Sequence, residues 1–145
     1  MTTIVYRAGV LAVDSQACSG WTRDGVSVKG RKVGRILAAA SGGSPHCQAF
    51  LDWASTGTQG LPDMGSSEKD GEHAFGYLFL PSGECVRFHP RVPPMISAGP
   101  FWSFGSGGFI ALGALAVGAT AIEAVEAAIR WDIGSGGPVR SWRHD

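Results

Sequence analysis

Apolar positions along this chain come in short runs, divided by glycine-rich breaks. Residues 2–7 and 10–14 read as two short strands, with Ala8-Gly9 as the turn between them. After a glycine-flanked loop at 20–25, loose alternation across 26–33 predicts another strand, and the apolar run 36–40 suits a buried one. Ser41-Gly42-Gly43-Ser44-Pro45 ends that run and opens a helix, with Ser44 as the expected N-cap and Pro45 in the first turn. Residues 47–55 then place Phe50, Leu51 and Trp53 on a partly apolar helix.

Residues 56–72 are rich in glycine, serine and charge and predict a loop. Two strands, 73–80 and 84–89, flank Pro81-Ser82-Gly83, a hairpin signal. The proline-rich stretch 91–100 is expected to be extended. Gly105-Ser106-Gly107-Gly108 breaks the chain before a helix at 109–118. Thr120, with Glu123 three residues on, predicts a capping box and a second helix ending at Trp131. Residues 138–142 complete the pattern as a short strand. Segregated strands and helices of this order imply an α+β layered domain rather than a parallel βαβ sheet.

At 145 residues the chain is expected to be one domain, 1–145. Zero net charge and 17% charged residues argue against a nucleic-acid partner. Cys18, Cys47 and Cys85 are odd in number and widely spaced, which suits a reducing compartment better than a disulfide framework. His46 adjoins Cys47, but no second pair has ligand spacing, so no metal is expected. Arg7 interrupts the N-terminal apolar stretch and no signal peptide is read, which points to a cytoplasmic protein. Residues 93–122 carry no charge and are long enough to cross a bilayer. The glycine break at 105–108 nevertheless leaves a helical part too short to span, so no membrane partner is expected.

Thr2 is the candidate for chemistry. It follows Met1 directly, and removal of that methionine is favoured before a small residue. A free α-amine and a hydroxyl would then share one residue. The amine can take the hydroxyl proton and make threonine a nucleophile.

The ordered set of motifs carries a resemblance. Met1-Thr2-Thr3-Ile4-Val5 with Ala12-Val13-Asp14-Ser15-Gln16 resembles the start of the proteasome-like bacterial peptidase HslV. Lys29-Gly30-Arg31-Lys32-Val33 is similar to that family's next basic strand. Ser41-Gly42-Gly43 and Phe104-Gly105-Ser106-Gly107-Gly108 match its two glycine breaks, and Trp131-Asp132-Ile133-Gly134-Ser135-Gly136-Gly137 resembles an element of proteasome β subunits. This resemblance implies a four-layer αββα sandwich of the N-terminal-nucleophile hydrolase class, shortened between the first helix and the second sheet. It implies a threonine peptidase that works without a cofactor through an acyl-enzyme, on peptide or unfolded-protein substrates. A homo-oligomeric ring or stacked rings, served by an ATP-dependent unfoldase, would be the assembly.

The implied roles are specific. Thr2 is the nucleophile, and Lys32 places positive charge beside it. Asp14 orients that lysine, while Ser106, Asp132 and Ser135 form the network around the amine. Where the family has a glycine before its first break, this chain has Ala38-Ala39-Ala40, and the Ala39 backbone N–H is a candidate oxyanion donor. Each residue also has a plainer reading: Asp14 as a turn former, Lys32 on a solvated face, Ser106 and Ser135 as ordinary turn serines. Asp132 near a helix C-terminus opposes the helix dipole, a hint that something else requires it. A non-catalytic proteasome-like assembly or interaction subunit is the alternative to a peptidase.

Overall fold

The computed structural model describes residues 1–19, 22–57, 60–66 and 72–145. Its elements are β1 (Ile4–Arg7), β2 (Val10–Val13), β3 (Gln16–Ser19), β4 (Thr22–Val26), β5 (Gly30–Val33) and β6 (Ile36–Gly42). There follow α1 (Ser44–Thr56), β7 (Ala74–Phe79), β8 (Glu84–Phe88), β9 (Met95–Ala98) and β10 (Phe101–Phe104). The chain closes with α2 (Gly108–Ala116), α3 (Ala121–Trp131) and β11 (Arg140–Arg143).

Ala8 and Gly9 both take positive φ, 52° and 77°, and turn β1 back on β2 with Val5 opposite Ala12. That hairpin is the centre of an antiparallel sheet in the order β10-β1-β2-β11. A second antiparallel sheet runs β5-β6-β7-β8-β9, and β3 and β4 form a separate ribbon. The domain is thus α+β, as the element order implies.

Three apolar clusters position these parts. Ile4, Tyr6, Leu11 and Val13 of the first sheet meet Leu37, Tyr77 and Phe79 of the second, all at or below 5% exposure. Tyr6 stacks on Phe79 with ring centroids 4.7 Å apart. The opposite face of the first sheet, through Val5 and Ala12, packs on Ala111, Leu115, Ala124, Val125 and Ala128 of α2 and α3. On the second sheet, Ala38, Ala40, Ala74 and Phe88 receive Phe50 and Leu51 of α1. The period-2 strands therefore bury both faces, one set of side chains against the other sheet and one against helices.

Several expectations shift. α1 begins at Ser44 with Gly43 as N-cap and Pro45 in its first turn, so Ser44 is a helical residue and not the cap. Thr120 and Glu123 do form the reciprocal capping box. The expected loop at 20–25 contains strand residues from Thr22 onward, while its residues 20 and 21 lie outside the described ones. Every residue of β4 is exposed, so it shows none of the alternation that marks a half-buried strand. The strand expected at 26–33 keeps only its second half. Residues 27–29 leave the ladder, with Ser27 donating its N–H to the Ser15 carbonyl at 2.9 Å. Of the expected loop 56–72, residues 58–59 and 67–71 fall outside the described residues, and Met64 is buried under α1. No helix among the described residues is long and apolar enough to cross a membrane.

Candidate active site

Thr2 stands two residues before β1 and is clamped from the 105–108 turn. Its backbone N–H donates to Ser106 Oγ at 3.1 Å, and its carbonyl accepts from Gly107 N–H at 3.2 Å. Only glycine permits this approach. Gly105 has φ of 94°, and a Cβ there would lie 2.1 Å from the Thr2 carbonyl oxygen. A Cβ on Gly107 would lie 2.0 Å from Thr3 Oγ1. The glycine break thus exists to let the turn close over the chain start.

Ser106 continues the network by donating to Asp132 Oδ2 at 2.8 Å. Ser135 donates to the same oxygen at 2.6 Å and meets Thr3 Oγ1 at 2.7 Å. Each serine has one hydroxyl proton and spends it on the carboxylate. The lone pairs left over face the Thr2 nitrogen and the Thr3 hydroxyl, so Thr3 is the donor to Ser135. Asp132 also accepts from Gly134 N–H at 3.2 Å. Burial alone would push its carboxyl up. The hydrogen bonds from Ser135, Ser106 and Gly134, with the nearby α-amine, outweigh burial and hold it below the usual carboxylate value. These bonds account for an aspartate at a helix end where the dipole disfavours it.

Asp14, just past β2, is fully buried and accepts four hydrogen bonds. Oδ1 receives Thr3 N–H at 2.9 Å and Lys29 Nζ at 2.8 Å; Oδ2 receives the N–H groups of Gln16 and Gly136 at 3.1 and 3.0 Å. So many donors are what a buried carboxylate requires. Lys29, only 8% exposed, also donates to the Met1 carbonyl at 3.0 Å. Lys29, not Lys32, is the cation beside the chain start.

Lys32 takes no part in this arrangement. It lies on β5 with its ammonium paired to the exposed Asp145. The reason is positional: Lys29 precedes the strand in the irregular segment that bends under Met1, whereas Lys32 is held in the ladder opposite Leu37. Ala39 is likewise removed from the site. It sits fully buried in the core between the sheets, and Ala40, Ser41 and Gly42 are the residues of that strand that line the cavities at Thr2. Of the six residues singled out in the sequence, Thr2, Ser106, Asp132 and Ser135 form one hydrogen-bonded chain that ends on the Thr3 hydroxyl. Asp14 joins it at the Thr3 amide, and Lys32 stands apart.

Two cavities meet at Thr2 and share only Met1, Thr2 and Gly42. The first, about 330 Å³, has Lys29, Cys18, Val28 and Cys47 among its walls. Burial pushes the Cys47 thiol up to about 11, against opposing influences from Lys29 and the α-amine. The second, about 410 Å³, is walled by Phe75, Tyr77, His89 and Ser106. Burial, aided by Arg87, holds His89 below the usual imidazole value. Among the described residues, no cluster of three histidine, cysteine or acidic side chains could hold a metal.

No protein-family model matches the sequence, and no curated protein does. Solved structures do match the fold. Thiobacillus denitrificans BPH in complex with epoxomicin superposes with a TM-score of 0.69 at 21% identity, over 97% of this chain and 96% of that one. A second structure of Thiobacillus denitrificans BPH gives 0.64 at 19% identity, over 97% and 95%. The chain shares its fold with BPH from end to end.

Sequence reasoning missed Lys29 and Thr3. Lys29 stands among Arg31 and Lys32 with nothing in composition to separate them. Its only distinguishing mark is Gly30, which must lack a side chain because Trp142 would lie 2.6 Å from its Cβ. Thr3 was hidden behind Thr2, since nothing in the local sequence shows that the Thr3 hydroxyl, as well as the Thr2 nitrogen, joins one network.

Proposed function

We propose that this chain is a threonine-type peptidase of the proteasome-like N-terminal-nucleophile class, with the four-layer αββα arrangement of that class. Thr2, exposed by loss of Met1, is the nucleophile. The observation that carries this reading is the Thr2 nitrogen held on Ser106 Oγ, with Ser106 held on Asp132. Once Met1 is gone, the same nitrogen is an amine whose orientation is already set.

In this mechanism the amine takes the Thr2 hydroxyl proton as Oγ attacks a peptide carbonyl. The Oγ–carbon bond forms, the carbon–nitrogen bond breaks, and the proton passes to the departing nitrogen. Water then hydrolyses the ester. Lys29 supplies fixed positive charge next to the nitrogen's former acyl group, kept in place by Asp14. The set needs no cofactor. The resemblance of the fold to BPH, which has been solved in complex with epoxomicin, supports a protease-type reading.

A homo-oligomeric ring acting on peptides or unfolded proteins suits the surface. Phe109 and Val117, at the two ends of α2, are 88% and 87% exposed, and Trp131 and Ile133 end α3 in solvent. An unfoldase partner and a cytoplasmic location belong to the same reading.

One observation favours a second reading, a non-catalytic assembly or interaction subunit. Met1 is half-exposed but contacted: Lys29 holds its carbonyl, and Gly134 is bare where a Cβ would lie 2.3 Å from Met1 Cβ. A retained Met1 leaves an amide at Thr2, with no basic lone pair. Intact mass of the purified protein decides the state, and a peptide-hydrolysis assay on the chain beginning at Thr2 decides the function. Mass loss of one methionine with turnover supports the peptidase. No turnover from a chain that begins at Thr2 and is folded would leave the second reading.

A further inference from the structure

Resting on the peptidase reading above, we infer that the cavity walled by Phe75, Tyr77 and His89 receives the residue on the leaving-group side of the scissile bond and selects an aromatic or large apolar side chain there.

The two cavities that meet at Thr2 give a bound peptide two directions in which to run. Proton bookkeeping assigns them. The departing nitrogen must be reached by the group that carries the proton, the Thr2 amine. That nitrogen is bonded to Ser106 Oγ, and Ser106 lines the second cavity but not the first. The departing half of the peptide therefore runs over the second cavity. The acyl half runs over the first, where Lys29 already holds a carbonyl attached to the Thr2 nitrogen.

The walls define what fits. Phe75 lies edge-on to His89 with centroids 5.0 Å apart, and Tyr77 stacks on Phe104 at 4.0 Å. Their planes are thus set by packing rather than by a ligand, which lowers the ordering cost of binding a ring. The wall is uncharged at neutral pH. Burial pushes the Tyr77 hydroxyl up to about 12, and His89 is depressed by burial and Arg87. A volume of about 410 Å³ accommodates a phenylalanine or tyrosine side chain.

The test uses the chain that begins at Thr2 and internally quenched peptides identical but for one central residue: Phe, Tyr, Leu, Gly or Asp. Mass spectrometry identifies the bond cut. Phe or Tyr is expected to raise kcat/KM for the bond preceding it by about tenfold over Gly, the scale of one good aromatic contact. Phe75→Ala should reduce that ratio to below about threefold while leaving the preference for the residue before the bond unchanged. His89→Ala, at a partly exposed position, serves the same purpose should Phe75→Ala fold poorly. Cutting with no preference after the bond overturns this inference alone, as does a Phe75→Ala effect on the residue before the bond. If the chain beginning at Thr2 cuts none of the peptides, the inference falls together with the peptidase reading.

Discussion

Lys29 Nζ lies 2.8 Å from Asp14 Oδ1, joining a fully buried carboxylate to a lysine whose other hydrogen bond is on the Met1 carbonyl. The pair links the basic segment before β5 to the first hairpin and fixes a charge beside the chain start. Removing one partner leaves an uncompensated charge in the interior.

Lys29→Ala should therefore cost both stability and turnover. The expected loss of stability is about 3–5 kcal/mol, the usual cost of breaking a buried ion pair. Lys32→Ala, by contrast, removes only an exposed contact to Asp145 and should leave turnover and melting temperature unchanged. Thermal melts and peptide hydrolysis on the two variants separate the roles; equal effects would remove Lys29 from its special place.

Thr2→Ala should abolish peptide hydrolysis and leave assembly intact. Thr2 is buried, but its bonds to the 105–108 turn are made by its backbone, which alanine keeps. Size-exclusion chromatography with an activity assay reads both. Turnover persisting in this variant would remove the hydroxyl from the mechanism.

Gly105→Ala should damage the site without touching a functional side chain. The added Cβ meets the Thr2 carbonyl oxygen at 2.1 Å, in a backbone conformation at φ of 94° that alanine avoids. Strain of this kind costs about 1–3 kcal/mol, and relief of the clash displaces Thr2. A fall in kcat larger than any rise in KM is the expected signature.

Asp132 carries a pH dependence whose sign follows from its depressed carboxyl. The charged form is favoured by folding, so its stabilising contribution is fully present above the usual carboxylate range. It is lost as pH falls through the lower native value. Asp132→Asn should flatten the acid side of the melting-temperature profile and lower kcat, because an amide no longer aligns both serine hydroxyls. An unchanged acid limb would show that Asp132 is not held charged by folding.

The Cys47 thiol, raised to about 11, is almost wholly neutral at pH 7. Alkylation by iodoacetamide should be slow there and accelerate as pH rises. Once formed, the adduct fills part of the cavity beside Lys29 and should inhibit hydrolysis. Cys47→Ala should remove that inhibition, which peptide mapping and residual activity would verify.

The sequence was legible where local chemistry is decisive. Short apolar runs on either side of the Ala8-Gly9 turn located the opening hairpin, and the Pro81-Ser82-Gly83 turn located the strands around it. Thr120 and Glu123 announced α3, because a capping box closes within four residues. β4 escaped notice because it buries neither face, and β10 because Phe101-Trp102-Ser103-Phe104 is half-buried throughout and shows no clean period.

What the sequence determined by itself was thus the α+β class, and it offered Thr2, Ser106, Asp132 and Ser135 as candidates through the family resemblance. Glycine breaks and an aspartate placed against a helix dipole are local features, visible without distances. Only the tertiary structure decided which lysine faces Asp14, since Lys29 and Lys32 differ in chemistry by nothing. It alone also revealed Thr3 in the network and the two cavities that meet at Thr2. Those depend on where the 105–108 and 132–136 turns converge on β1, and long-range packing, not local propensity, sets that convergence.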